Sequence, residues 1–146
     1  MKEIKDIEIE AFIQATEDPE KVVLAIQKML PPNIECERFM TSNVRGVYHN
    51  PIQIIRTKLT QNTRQILEYI AKRISDADKN YLLQTLSRRI QNNNLYLRFD
   101  KQALYRNIVQ LREIKDTIRV RIGFSRKYSN QEKMKGFLQE LELIPL

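Results

Sequence analysis

His49 and Cys36 are the chain's one histidine and one cysteine. The side chains that most often hold zinc, or serve as base and nucleophile, therefore occur once each. A His/Cys zinc site needs three or four ligands, and nothing in the sequence suggests that these two residues meet as a catalytic dyad. The three glycines are not clustered, which excludes the usual phosphate-cradling loops. Asp76, Asp78 and Asp100 are the carboxylates on which magnesium chemistry would have to rest, but scattered acids are ordinary surface. The residue types predict no catalysis, no cofactor and no metal.

Residues suited to binding are more numerous, and they gather around Leu95 to Arg106. Leu95, Leu97 and Phe99 alternate with Tyr96, Arg98 and Asp100, the period of a strand with one buried and one wet face. Asp100, Lys101 and Gln102 then break the alternation in a charged corner where a bland turn would more often use Gly, Asn or Pro. One reading is an exposed turn and nothing more. The other makes Lys101 an unpaired, protruding cation that meets a phosphate, while Gln102 bonds a ribose hydroxyl or base edge. Arg98, Tyr105 and Arg106 flank it, and Arg45, His49 and Asn50 are presented together by a turn-like stretch, 44–50. Tyr96 and Tyr105 have the rings to stack on bases, although strand aromatics more often pack. Arg119 and Arg121 look like a basic pair on a sheet face. If the first and last strands are neighbours, Glu8 and Glu10 neutralise them across the ladder.

The elements that position these residues follow from periodicity. A strand over Ile7–Ile13 has an acidic outer face, and Asp18-Pro19 caps a helix that Pro31-Pro32 ends. Glu17, Asp18 and Glu20 occupy the positive end of that helix and argue against a phosphate there. Strands are predicted over Ile34–Ser42 and Ile52–Thr60. A helix follows over 62–74, then a second opened by Ser75 with Leu82, Leu83, Leu86 and Ile90 inward and Lys79, Arg88 and Arg89 toward solvent. After the central strand, Asn107–Glu113 and Thr117–Phe124 read as a hairpin, and Ser129 with Glu132 opens a last helix. Short connections between late strands imply an α+β fold, a largely antiparallel sheet with helices on one face. Residues 1–124 form the predicted domain, with 125–146 a linker and a helix packed on or beside it.

The chain has 146 residues, a net charge of +7 and a pI near 9.6. Residues 1–37 carry four Lys against nine acids, and the remainder twenty-one Lys/Arg against nine. Segregation of this kind points to a polyanionic partner. The lone cysteine and the lack of an apolar run near ~20 residues lead to the expectation of a cytoplasmic protein.

Three stretches, Ala15-Thr16-Glu17-Asp18-Pro19-Glu20-Lys21-Val22, Gly46 with His49-Asn50-Pro51-Ile52, and Leu95 through Tyr105, resemble in order and spacing an archaeal family of RNA-binding proteins described as predicted exosome subunits. The resemblance covers about residues 7–124 and leaves the last helix outside. It implies a double-stranded-RNA-binding-domain-like fold and an accessory role in RNA processing or degradation. RNA is then the partner, contacted through backbone and shape. The competing expectation is a protein–protein adaptor that docks on a processing or ribosomal complex and touches RNA little.

Overall fold

A computed structural model describes residues 3–35, 40–45, 51–114 and 116–146. The elements run β1 (Ile4–Ile13), α1 (Pro19–Gln27), β2 (Met40–Arg45), β3 (Pro51–Leu59), α2 (Thr63–Arg73), α3 (Asp76–Arg89) and β4 (Ile90–Gln91). They continue with β5 (Asn94–Asp100), α4 (Lys101–Tyr105), β6 (Thr117–Phe124) and α5 (Gln131–Glu140). All strand pairs are antiparallel, in the order β2-β3-β1-β6-β5-β4. This is the expected α+β class.

Period-2 alternation decides which face is covered. Ile7, Ile9, Ala11 and Ile13 of β1, Leu95, Leu97 and Phe99 of β5, and Ile118, Val120 and Ile122 of β6 are all buried. Val22 and Ile26 of α1, Ile66, Leu67 and Ile70 of α2, Leu82 and Leu86 of α3, and Phe137 and Leu138 of α5 close over them in one core. The strands bury alternate residues and the helices a 3.6-period stripe, so each element turns a single face to the same layer. Residues 125–146 belong to that core too, since Met134, Leu141, Leu143 and Ile144 are buried and Phe137 meets the Phe124 ring edge-on at 6.2 Å.

Caps stop and start the helices where the polar residues stand. Asp18 accepts from the Glu20 amide at 3.0 Å, and Ser75 from the Asp78 amide at 3.1 Å. The last helix is capped by Asn130, whose Oδ1 accepts from the Lys133 amide at 2.8 Å, one residue beyond the predicted Ser129. Ile34 and Glu35 are not strand, and β2 begins at Met40; the predicted strand between them falls partly outside the described residues. Val44 and Arg45 belong to β2 rather than to a turn.

The predicted hairpin of 107–113 with 117–124 does not form. β6 instead lies between β1 and β5, and 107–113 is irregular except for one bridge, Leu111 to Phe99. Asn107 takes a left-handed φ of 61°, which breaks the extended run, and the Leu111 amide donates to the Asp78 carboxylate at 3.0 Å. Ladder bonds from the Asp100 amide to Gln110 O and from the Arg112 amide to Arg98 O nevertheless lay this segment along the β5 edge beyond two-residue β4. Arg89, expected in solvent, is 7% exposed. Its guanidinium donates to Thr85 Oγ1 and the Glu113 carboxylate and sits over the Tyr81 ring, which accounts for a buried charge.

Candidate nucleic-acid interface

Lys101 is fully buried, against the expectation of a protruding cation. Asp100 caps α4 by accepting from the Ala103 amide at 3.2 Å, so Lys101 becomes the first residue of a helix rather than the tip of a turn. That conformation aims its ammonium back beneath the end of β1. It donates to Phe12 O at 2.7 Å and to the Glu17 carboxylate at 2.9 Å, and Asp116 Oδ1 lies in ion-pair contact at 2.8 Å. With no exposed surface and two carboxylates against it, the ammonium does not reach a phosphate. The Tyr105 hydroxyl donates to the same Glu17 carboxylate at 2.9 Å, so this half-buried ring braces the corner. Burial raises the Glu17 carboxyl, but the bonds from Lys101, the Gln14 amide and Tyr105 together outweigh it and hold the group below its ordinary value. Burial and the adjacent Glu17 push the Tyr105 phenol well above its usual value.

The other predicted residues do not converge. Arg98 is exposed on the open face of the sheet, its Nη1 donating to Glu113 O at 3.4 Å. Gln102 and Arg106 are exposed on and after α4, at a different corner. Arg45 lies on the outermost strand, where only its backbone is described, and His49 and Asn50 lie outside the described residues. Tyr96, also on the open face, is 42% exposed.

That open face is largely self-neutralised. Register places Glu8 between Arg121 and Lys58, and Glu10 between Arg119 and Arg56. Arg119 reaches Glu10 at 3.6 Å and lies 5.0 Å over the Phe12 ring; Arg121 reaches Asp6 at 3.0 Å and Glu8 at 3.6 Å. Arg56 meets Glu10 and Glu8, and Lys58 meets Asp6 at 3.5 Å. For Arg121, burial lowers the guanidinium pKa, but the Asp6 bond and the nearby Glu8 more than offset this and raise it. The strand neighbours thus cancel their charges locally, as their register predicts.

Uncancelled charge gathers where three helices end. The Lys28 Nζ donates to Tyr105 O at 2.8 Å, at the end of α4. Arg73, in the last turn of α2, donates to Lys28 O after α1 and to Asn107 O and Oδ1 after α4, the last at 2.8 Å. Its guanidinium lies 4.9 Å over the Tyr69 ring. Helix C-termini carry partial negative charge and orphan carbonyls, which is why cations sit well there. Carbonyls do not discharge them. Among the described residues Lys28, Lys72, Arg73 and Arg106 have no carboxylate partner, and Lys72 and Arg106 have no side-chain hydrogen bond. Two shallow clefts flank this shelf. One of about 650 Å³ includes Gln102, Tyr105 and Lys28, and one of about 430 Å³ includes Tyr69, Asn107 and Pro32. Lys28, Lys72, Arg73 and Tyr69 were absent from the sequence-level candidates. Basic residues in the last turn of a helix normally read as caps, and only the meeting of three such ends makes a patch.

Comparison with known proteins bears on what such a patch meets. A family model described as RNA binding matches residues 6–124. The RNA-binding protein PAB1135 of Pyrococcus abyssi is 34% identical over 122 residues, covering 80% of this chain and 79% of its own. Two solved DUF54 proteins share the fold over 94% of this chain. AF2318 of Archaeglobus fulgidus is 29% identical with a TM-score of 0.79, covered over 99% of its length; SSO0741 of Sulfolobus solfataricus is 28% identical with a TM-score of 0.74, covered over 96%. With the family model running from within β1 to the end of β6 and taking in α1 to α4, the chain belongs to this RNA-binding family.

Proposed function

We propose that the protein binds RNA without cleaving it, through the phosphate backbone, and that the shelf of Lys28, Lys72, Arg73 and Arg106 is the principal contact. The observation that carries this reading is the contrast between the two surfaces. On the sheet face Arg56, Lys58, Arg119 and Arg121 are matched by Asp6, Glu8 and Glu10, leaving only Arg98 on a carbonyl, whereas none of the four cations at the helix ends has a carboxylate in ion-pair range among the described residues. Phosphate is the acceptor that such unmatched lysines and arginines take up, and it fixes position without reading sequence. An accessory place in RNA processing or degradation, including the exosome link, rests on the family resemblance of the three stretches quoted above. A cytoplasmic location belongs to the same proposal.

Binding of a structured RNA measured across a salt series tests it. With ~4–5 phosphates neutralised, log affinity should fall against log salt with a slope of about −3 to −4. The same RNA, end-labelled and incubated with magnesium or manganese, should stay intact. A flat salt response, or cleavage that persists through repurification, contradicts the proposal. Absence of RNA binding at low salt alongside a stable protein partner would favour the adaptor instead.

A further inference from the structure

The opposite end of the sheet holds a second groove with a different chemistry. It lies where the start of β1, the β4–β5 turn and the residues after β6 meet, joined by bonds from the Phe124 amide to Asn93 O and from the Ser125 amide to Glu3 O. Its volume is about 550 Å³, within the range of small-ligand sites. Asn92, Asn93, Asn94, Lys5, Ser125 and Arg126 line it.

The groove's one carboxylate is already committed: Asp6 is 4% exposed and bonded to Arg121, with Lys58 close by. Asn94 Oδ1 also accepts from Arg121, at 2.9 Å. Lys5 and Arg126 are exposed and have no partner among the described residues, and the same holds for the side-chain amides of Asn92 and Asn93. Turn chemistry explains Asn92, whose φ of 57° is left-handed, but not Asn93, which has an ordinary backbone. The Ser125 hydroxyl behind the wall is buried and has no hydrogen-bond partner among the described residues. Free carboxamides beside two unpaired cations form a specific combination. A carboxamide presents a donor and an acceptor side by side, the pattern that matches a base edge, while lysine and arginine meet phosphate.

We infer that this groove seats one unstacked nucleotide of a single-stranded RNA segment, its base edge on Asn92 and Asn93 and its phosphate on Lys5 and Arg126. The inference rests on the RNA-binding reading above and adds to it a base-reading site. The groove and the helix-end shelf share no lining residue, so the two contacts are separately testable.

Isotope-labelled full-length protein titrated with the tetraribonucleotides of adenylate, cytidylate, guanylate and uridylate provides the test. The side-chain amide signals of Asn92 and Asn93 should move, and the four bases should bind with unequal affinity. Arg126→Ala should weaken all four about fivefold. Asn93→Ala should leave the melting temperature near that of the parent and reduce the spread among bases to within about twofold. If RNA binds and only residues near Lys72 and Arg106 respond, or if both variants bind like the parent, the groove is not a nucleotide site and the shelf reading stands. If neither the tetranucleotides nor a long structured RNA bind, both readings fall.

Discussion

At Lys101 a fully buried ammonium is paired with two carboxylates, Glu17 and Asp116, so its removal strands negative charge rather than merely deleting a contact. Breaking a buried pair in this way typically costs about 3–5 kcal/mol, and partial exposure of Asp116 places Lys101→Ala near the lower end, about 3 kcal/mol. Urea denaturation reads that loss directly. RNA affinity of the folded fraction should stay within about twofold of the parent. A stable variant that no longer binds RNA would return Lys101 to the interface. The same cluster sets an acid limit. Glu17 titrates below its ordinary 4.5 when folded, so its contribution is complete above that value and disappears as pH falls through the folded pKa. Urea midpoints should therefore drop as pH falls below about 4.5, and Glu17→Gln should be less stable at neutral pH with a shallower acid dependence. Nothing in the sequence distinguishes a lysine aimed inward from one aimed outward. Lys101 follows a strand and precedes Gln102 in either case, and only the Asp100 cap, which makes it helical, turns it under β1. Arg119 was legible because its partner is fixed by strand register, a property of alternation itself.

Elements read well where periodicity was long and poorly where one residue decided. The stripes of α2 and α3 and the alternation in β1, β5 and β6 place the core correctly. The segment 107–113 has strand-like Val109 and Leu111 but is stopped by left-handed Asn107 and by Asp78, which takes an amide that a ladder would have used. Gly123 shows how a strand accommodates the charged face. It stands opposite Asp6, and a β-carbon there would collide with the Asp6 carboxylate and crowd the Arg121 guanidinium. Because Asp6 is buried and bonded, it cannot simply swing away. Gly123→Ala should cost about 1–3 kcal/mol, the usual penalty of overpacking, in thermal or urea melts. A neutral or stabilising result would mean that the Asp6–Arg121 pair moves freely. The helix-end shelf belongs to this scale as well: no single helix makes it, and its cations become neighbours only because Arg73 ties the ends of α1 and α4 to that of α2.

For the whole molecule, the strong excess of positive charge after residue 37 indicated a polyanion, and family membership gives that polyanion a chemical class. Charge totals do not say where it binds, because the sheet face and the helix ends are both rich in Arg and Lys. Pairing decides between them. Register hands Arg56, Lys58, Arg119 and Arg121 of the sheet face to β1's acids and leaves Arg98 on a carbonyl, and folding brings none of the described acids within ion-pair range of Lys72 or Arg106. The direct test compares Lys72→Ala, Arg106→Ala and Arg119→Ala, each losing one positive charge, in RNA affinity at several salt concentrations, with circular dichroism to confirm folding. Each shelf variant should weaken binding on the order of fivefold and reduce the salt slope by about one, the signature of a lost phosphate contact. Arg119→Ala should change affinity by less than about twofold and leave the slope intact. The opposite ranking, with Arg119→Ala abolishing binding and the shelf variants silent, would put the RNA on the open sheet and contradict the account.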